Sequence, residues 1–298
     1  MNKTIFATRK QTECYNGTML DTHCHLNFKA FADDVQLVAQ AMAEQQTTSI
    51  VVGCDRNSSR TAIDLAQTFP NLWSAVGLHP IHVLDDPWDT AVMKDLALEN
   101  RVVAIGEVGL DFYRYPEDVS QKAAYLAAQY KTFDGSIDLA KELNKPLIIH
   151  SRNAYDEIIS VLKKHFMPDQ AAYRGTVHCF MGNQAQATAL LELGFCLGFT
   201  GIITYRDAAP ELLAVAQNLP ADRLLIETDA PYLTPEPYRS EGKKATNKIP
   251  RNSPLYVRAV AASLAELRGT TTEAIIALTE TNGRTLFQIP EKTEVANG

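Results

Sequence analysis

The chain has 298 residues, of which 46% are hydrophobic and 21% are charged, and its formal net charge is −7 at pH 7. This composition is typical of a globular protein with a large core, and no apolar run approaches the roughly 20 residues that a membrane helix needs. The acidic balance argues against nucleic-acid binding by bulk electrostatics, but a local basic rim or bound metal ions could still supply positive charge.

The two ends of the chain differ from the segment between them. Residues 1–17 show no apolar periodicity, so we expect a disordered or tag-like extension and no secretory signal. The regular pattern predicts one domain over residues 18–290 and a C-terminal tail over 291–298. The cysteines are odd in number and scattered, which favours reduced thiols in the cytoplasm over a disulfide framework: Cys14, Cys24, Cys54, Cys179 and Cys196.

Short apolar runs without strict alternation predict strands that are buried on both faces of a parallel sheet. We place eight of them along the chain: Met19–Asp21, Thr48–Val52, Leu72–Gly77, Val102–Glu107, Pro146–His150, Gly175–His178, Phe195–Phe199 and Arg223–Glu227.

Helical segments lie between these strands and after the last one. Their predicted ranges are about 30–46, 57–68, 89–99, 119–143, 153–165, 183–193, 207–218, 253–268 and 271–281. Eight strands alternating with helices predict the α/β class and, within it, a (β/α)8 TIM barrel of one domain. An open doubly wound sheet is the alternative, but no Gly-x-Gly-x-x-Gly follows any strand.

Metal-ligating side chains stand at the ends of several predicted strands. Because the carboxyl ends of all eight strands of a barrel meet at one face, these side chains should converge there. His23 and His25, one residue apart on a strand, would also point to the same side. The predicted set is His23, His25, Glu107, His150, His178 and Asp229.

Each of these residues alone also fits a structural role, but their joint placement favours a metal site. Burying so many titratable groups at one rim is costly unless a divalent cation pairs them. Mixed imidazole and carboxylate ligands suit Mg²⁺, Mn²⁺ or Zn²⁺. Six ligands exceed the need of one ion, so Glu107 could bridge two ions. Asp229 would then be both a ligand and the acceptor of a proton from a metal-activated water.

Other residues are candidates for substrate binding. His79 follows the third strand, and the fork of Arg152 could hold a phosphate. Tyr113 could stack on a nucleotide. The polar, proline-rich stretch 234–254 contains an excess of lysine and arginine and should form a long loop over the site. Structural alternatives exist for these candidates. His79 could be an ordinary loop histidine, Arg152 could form a salt bridge at the start of a helix, and the stretch 234–254 could be a solvated loop.

The motifs resemble those of the TatD family of metal-dependent deoxyribonucleases, in order and over residues 19–287. They are Asp21-Thr22-His23-Cys24-His25-Leu26, Gly77-Leu78-His79-Pro80, Ile105-Gly106-Glu107-Val108-Gly109-Leu110-Asp111, Ile149-His150-Ser151-Arg152, His178-Cys179-Phe180, Glu227-Thr228-Asp229-Ala230-Pro231-Tyr232-Leu233, Arg251-Asn252, and Thr281-Asn282 with Leu286-Phe287.

This resemblance implies a TIM barrel of the amidohydrolase superfamily that holds two divalent ions. By position, His23, His25 and Asp229 would hold one ion, His150 and His178 the other, and Glu107 would bridge them. It also implies 3′-to-5′ exonuclease action on DNA, mainly single-stranded, and roles in DNA repair or fragmentation. Whether RNA is also a substrate stays open at this point. We expect a monomer with no membrane partner.

Two other functions share these residues. A superfamily hydrolase of a small cyclic amide, ester or lactone would polarise a carbonyl at the same site, but such relatives often use a carboxylated lysine where Glu107 stands. A metal-binding module without catalysis is the third hypothesis. The chain departs from the family pattern at its 17-residue lead, at Ser253 in place of the usual glutamate, and at Gly135 within a predicted helix.

Overall fold

The computed structural model describes residues 18–116 and 118–290, and its strands form one parallel sheet in sequential order, β1 to β8. The predicted extension, 1–17, and the predicted tail, 291–298, lie outside the described residues. The strands are β1 (Met19–Cys24), β2 (Thr47–Val52), β3 (Leu72–Val76), β4 (Val102–Asp111), β5 (Leu147–Arg152), β6 (Gly175–Val177), β7 (Phe195–Phe199) and β8 (Leu224–Ile226).

The sheet closes where β1 meets the segment after β8. A parallel bridge joins Cys24 to Ala230, and the Asp229 amide donates to the His23 carbonyl at 2.9 Å. The His25 amide donates to the Ala230 carbonyl at 2.7 Å. The predicted (β/α)8 barrel is therefore confirmed, and backbone hydrogen bonds at its seam hold two of the histidines beside an aspartate.

Helices connect the strands and surround the barrel. They are α1 (Val35–Glu44), α2 (Arg56–Thr68), α3 (Thr90–Ala97), α4 (Lys122–Leu143), α5 (Tyr155–His165), α6 (Gln184–Glu192), α7 (Pro210–Asn218), α8 (Tyr238–Thr246), α9 (Val257–Arg268) and α10 (Thr272–Phe287). None of the helices in the described part of the chain is long and apolar enough to cross a membrane.

The amino-terminal end of the barrel is closed by the end of α10. Leu286 and Phe287 pack against buried strand residues that include Leu20 and Ile148. The Asn282 side chain donates to the carbonyl of Leu224, the first residue of β8, at 2.9 Å. Burial of an apolar side chain such as Leu286 or Phe287 contributes about 1.5–3 kcal/mol to the stability of the fold. With this end plugged, the carboxyl ends of the strands are the face at which a site can form.

Gly135, which interrupts the sequence pattern of α4, has a packing reason. A Cβ at this position would lie 2.5 Å from Nε1 of Trp88, whose ring packs on the core. The usual cost of a helical glycine, about 1 kcal/mol relative to alanine, is therefore offset by close approach of an indole.

Several predicted boundaries were wrong. The first helix was expected over 30–46, but Lys29–Phe31 form a separate 3-10 turn before α1. The expected loop 234–254 contains α8, a helix with no apolar face in its sequence and no buried residue. It is anchored from outside, since Tyr238 stacks on Tyr256 with ring centroids 3.9 Å apart.

Candidate metal centre

The structure brings all six predicted ligand residues together at the carboxyl end of the barrel. His23 lies within β1, and Glu107 and His150 lie within β4 and β5. His25, His178 and Asp229 follow β1, β6 and β8 directly or within three residues. In the described ranges, 18–116 and 118–290, potential ligand atoms of these residues and of two neighbours, His79 and Cys54, form groups whose members lie within 4.8 Å of one another. The groups are His23–His25–Asp229, His23–Glu107–His178, His79–Glu107–His150 and His25–Cys54–Glu107.

Glu107 lies at the centre, and its two oxygens face different histidines. Oε2 is 3.6 Å from Nε2 of His23 and 3.7 Å from Nε2 of His25. Oε1 is 2.9 Å from Nδ1 of His150 and 2.8 Å from Nε2 of His178. One carboxylate thus borders two separate sets of imidazole nitrogens, which is the geometry that a bridging ligand requires.

The first set is completed by Asp229. Its Oδ1 lies 3.4 Å from Nε2 of His25 and 3.8 Å from Nε2 of His23. The two Nε2 atoms are themselves only 3.2 Å apart. Nδ1 of His25 donates a hydrogen bond to the Val52 carbonyl at 3.0 Å. In the neutral ring, Nε2 therefore carries a lone pair. Lone pairs and carboxylate oxygens that converge in this way fit a cation among them.

The carboxylates set the electrostatics of the cluster. Burial opposes ionisation of Glu107, but the charge of His178 and the hydrogen bonds from His150 and His178 outweigh it and hold the pKa of this carboxyl well below its ordinary value. Burial likewise opposes the charged form of His178, yet Glu107 raises the pKa of the imidazole well above its ordinary value. The same holds in direction for His25, where Asp229 outweighs burial and raises the pKa. A field that favours protonated imidazoles also favours a divalent cation.

Two acidic residues that sequence reasoning missed lie behind the histidines. Asp111 Oδ2 is 3.4 Å from Nε2 of His150, and Glu227 Oε1 is 3.6 Å from Nδ1 of His178. Each carboxylate faces the ring nitrogen that points away from Glu107 and so selects the tautomer. Asp111 belongs to the same motif as Glu107, four residues later, and Glu227 is two residues before Asp229. Their spacing could have indicated them, but not which ring each one faces.

His79, predicted to contact substrate, borders the cluster. Its Nδ1 accepts a hydrogen bond from the Ile81 amide at 3.2 Å, so the proton of the neutral ring is on Nε2. That atom lies 3.5 Å from Glu107 Oε1. Burial lowers the pKa of His79 well below its ordinary value. The residue is therefore suited to be a neutral hydrogen-bond donor at the edge of the site.

Arg152 and Tyr113, the other two predicted substrate-binding residues, contact each other. The guanidinium carbon of Arg152 lies 3.9 Å from the ring centroid of Tyr113, which is 61% exposed. No carboxylate in the described part of the chain pairs with Arg152. Stacking on Tyr113 uses the face of the guanidinium and leaves the N–H groups at its edge available for hydrogen bonds.

A cavity of about 1010 Å³ opens over the cluster. Its lining combines the site residues with cationic and apolar side chains, among them Arg114, Arg152, Tyr232, Met181 and Ile202. None of residues 234–254 lines it, so the expectation that this stretch overhangs the site was wrong. Arg251 instead pairs with Asp34, with nitrogen–oxygen distances of 2.9 and 2.7 Å.

Comparison with known proteins identifies the family of this chain. A family profile described as "TatD related DNase" matches residues 20–288. The chain belongs to the TatD family. It is accordingly a hydrolase, and its fold and its cluster of candidate metal ligands agree with that assignment.

Individual TatD relatives are similar over nearly their whole length. The chain is 36% identical to an uncharacterized metal-dependent hydrolase, YabD, of Bacillus subtilis (strain 168), with 91% of this chain and 99% of the relative covered. It is 34% identical to the 3′-5′ ssDNA/RNA exonuclease TatD of Pantoea vagans (strain C9-1), with 91% and 100% covered. The crystal structure of the TatD homologue YJJV from Escherichia coli K12 superposes with a TM-score of 0.78 at 30% identity, covering 91% and 98%.

Proposed function

We propose that this TatD family hydrolase is a metal-dependent deoxyribonuclease that hydrolyses DNA phosphodiester bonds. The observation that carries the proposal is the position of Glu107, one oxygen toward His23 and His25 and the other toward His150 and His178. A pair of neighbouring divalent ions is the arrangement that stabilises both the attacking and the leaving oxygen of a phosphoryl transfer.

The distances around Glu107 support a division of the ligands into two sets. His23, His25 and Asp229 would hold one ion, and His150 and His178 would hold the other. Glu107 would bridge the two. Mg²⁺, Mn²⁺ and Zn²⁺ are all compatible with imidazole and carboxylate donors. When bound, such ions neutralise phosphodiester charge and lower the pKa of the attacking water.

Asp229 is the residue best placed to accept the proton of that water. Its side chain is 14% exposed, against 4% for Glu107, and it lines the cavity. Burial opposes ionisation of Asp229, but its interaction with His25 outweighs burial and lowers the pKa of the carboxyl. It is therefore ionised at neutral pH and able to take up a proton as the P–O bond forms.

Substrate binding would use the residues at the edge of the cavity. The guanidinium of Arg152 can hold a phosphate in bidentate fashion, and Tyr113 offers an exposed ring for a base. The Nε2 proton of His79 can be donated to a phosphate oxygen. These contacts orient the scissile bond toward Asp229 and Glu107.

A single strand fits this site better than a duplex. The candidate ligands lie buried at the floor of a cavity, which a flexible strand enters without first losing base pairs. The exonuclease name of the Pantoea relative supports 3′-to-5′ removal of nucleotides, with RNA as a second substrate class. Such an activity suits the trimming of damaged or fragmented DNA.

The decisive experiment is a degradation assay with the metal varied. Purified protein is stripped of metal, loaded with Mg²⁺, Mn²⁺ or Zn²⁺, and given 3′-labelled and 5′-labelled single-stranded and double-stranded DNA, with products sized. We expect stepwise shortening of single strands from the 3′ end. Inactivity on every DNA together with opening of a small lactone or cyclic amide would overturn the proposal in favour of carbonyl hydrolysis.

A further inference from the structure

Cys54 is a potential metal donor that the six-residue ligand set does not include. It lies two residues after β2 and is 6% exposed. Its Sγ is 3.6 Å from Oε2 of Glu107, the oxygen that faces His23 and His25, and 3.8 Å from Nδ1 of His25. The thiol therefore contacts the Glu107 oxygen that also faces His23 and His25, and it lies beside the His25 nitrogen that donates to the Val52 carbonyl.

The separation between this thiol and Glu107 is that of two donors to one ion. Sulfur–metal bonds of about 2.3 Å and nitrogen–metal bonds of about 2.0–2.1 Å place neighbouring donors three to four ångströms apart. The observed Sγ–Oε2 distance is 3.6 Å, and the His25 Nε2–Oε2 distance is 3.7 Å. His25, Cys54 and Glu107 offer ligand atoms that all lie within 4.8 Å of one another, and all three residues are buried.

The backbone holds Cys54 in this position. Its amide donates to Oγ of Ser58 at 2.8 Å, within the capping box that begins α2. Its carbonyl accepts from the His79 amide at 2.9 Å. The Glu107 amide donates to the carbonyl of the preceding residue, Gly53, at 3.0 Å. The segment that carries the thiol is thus tied directly to two residues of the cluster, so the sulfur is preorganised toward Oε2.

We propose that Cys54 is a ligand of the ion held by His23, His25 and Asp229, and that its sulfur makes this position selective for Zn²⁺ over Mg²⁺. The inference rests on the proposed metal centre and refines the identity of one ion. Thiolate is a soft donor that Zn²⁺ and Co²⁺ accept and Mg²⁺ does not. On binding, the S–H bond breaks, the sulfur electron pair forms the bond to the metal, and the proton leaves to solvent.

A thiol that coordinates a divalent ion is deprotonated outright, whereas a thiol that does not coordinate keeps its proton. We therefore expect one further proton to be released when a thiophilic ion binds to this position, compared with Mg²⁺.

Spectroscopy of the Co²⁺-loaded protein tests the inference without any assay of activity. Metal-free protein is titrated with Co²⁺, and the thiolate-to-cobalt charge-transfer band is followed in the near ultraviolet. We expect the wild type to show this band from the first equivalent bound. Cys54→Ser should lose the band and retain the visible cobalt bands, and its Zn²⁺ affinity should fall roughly tenfold or more while its Mg²⁺ affinity stays unchanged.

Cys179→Ser is the matched control, because Cys179 is the neighbour of a proposed ligand, His178, and lines the same cavity. Its Sγ lies 3.6 Å from Oγ1 of Thr200 instead. This variant should keep the charge-transfer band. Cys54→Ala serves as a second variant if serine at this position impairs folding.

The outcomes separate this inference from the proposed metal centre. Cobalt bound to the wild type without a thiolate band, or a band that survives Cys54→Ser or Cys54→Ala, overturns the role of Cys54 alone. A wild-type protein that binds no Co²⁺, Zn²⁺ or Mg²⁺ overturns the metal centre, and the inference falls with it.

Discussion

Asp111 faces His150 behind the metal centre, with Oδ2 3.4 Å from Nε2 of the imidazole. The two residues lie on the neighbouring strands β4 and β5. The other nitrogen of the His150 ring, Nδ1, faces Glu107 at 2.9 Å. Burial opposes ionisation of Asp111, but the interaction with His150 outweighs it and lowers the pKa of the carboxyl to about 2. Because an ionised oxygen favours a proton on Nε2, Asp111 leaves the lone pair of Nδ1 free for a metal.

Replacing Asp111 by asparagine should therefore weaken one metal position. The amide can keep the hydrogen bonds that Oδ1 accepts from the Tyr113 and Arg114 amides, but its NH₂ would favour a proton on Nδ1 of His150. We expect metal affinity on the His150–His178 side to fall roughly 10- to 100-fold. Calorimetric metal titration measures this, and thermal unfolding checks the fold. Unchanged affinity at both positions would contradict the orienting role.

Glu107→Gln should reduce metal content at both positions. The amide keeps the shape of the side chain but lacks the charge that both sets of histidines face. The double variant His23→Ala/His25→Ala, by contrast, should empty one position and spare the fold. Elemental analysis of the dialysed proteins gives the metal-to-protein ratio. If the double variant loses as much metal as Glu107→Gln, the division into two sets is wrong.

Asp229→Asn should slow DNA hydrolysis more than it lowers metal binding. Loss of a general base typically costs about 10²–10⁴ in rate. The asparagine oxygen can still act as a ligand beside His25, so we expect activity to stay low even at saturating metal. Single-turnover degradation of labelled single-stranded DNA gives the rate. Recovery of the wild-type rate with added metal would show that Asp229 acts only as a ligand.

Arg152→Ala should raise KM for single-stranded DNA with a smaller effect on kcat. Hydrogen bonds to charged groups contribute about 1.5–3 kcal/mol, which corresponds to roughly 10- to 100-fold. The matched control is Lys243→Glu with Lys244→Glu, a larger change in charge on α8, none of whose residues lines the cavity. We expect this control to leave KM unchanged. A greater effect of the lysine changes would restore the stretch 234–254 as the binding surface.

Arg251→Met should destabilise the fold in a pH-dependent way. The hydrogen bond from Arg251 outweighs partial burial and lowers the pKa of Asp34. A depressed carboxyl pKa stabilises the native state above the unfolded value, near 3.8, and this contribution disappears as the pH falls through the native pKa. The side chains of Arg251 and Asp34 are 34% and 37% exposed, so solvent screens the ion pair. We therefore expect the free energy of unfolding to fall by only about 0.2–1 kcal/mol at neutral pH.

Urea unfolding at neutral pH and at the lowest pH where the wild type stays folded measures this difference. Asp34→Asn completes a double-mutant cycle, which separates the ion pair from the contact of Arg251 with the ring of Phe31. A coupling energy between Arg251 and Asp34 that does not change with pH would contradict the assignment.

Much of the architecture was predictable from the chain itself. Apolar runs such as Phe195–Phe199 are buried on both faces, and that burial produces a hydrophobic pattern that any central parallel strand shares. The ends of the strands and helices were harder to predict from the sequence. β4 continues to Asp111, four residues beyond the predicted end, because pairing with β5 extends that far. Helix α8 could not be predicted from periodicity, since its support comes from Tyr256 and Pro250, outside the helix.

The sequence by itself determined which residues stand at the ends of the barrel strands, because strand ends and side-chain alternation are local properties of the chain. That was enough to predict His23, His25, Glu107, His150, His178 and Asp229 as one cluster.

Only the tertiary structure decided what each atom of the cluster faces. Closure between β1 and the segment after β8 places Asp229 against His25, across about two hundred residues of chain. A hydrogen bond from the Glu107 amide to the Gly53 carbonyl holds Cys54 beside one oxygen of Glu107. Distances between side chains on different strands depend on barrel closure and register, which no local pattern encodes. For that reason Asp111, Glu227 and Cys54 emerged only from the folded chain.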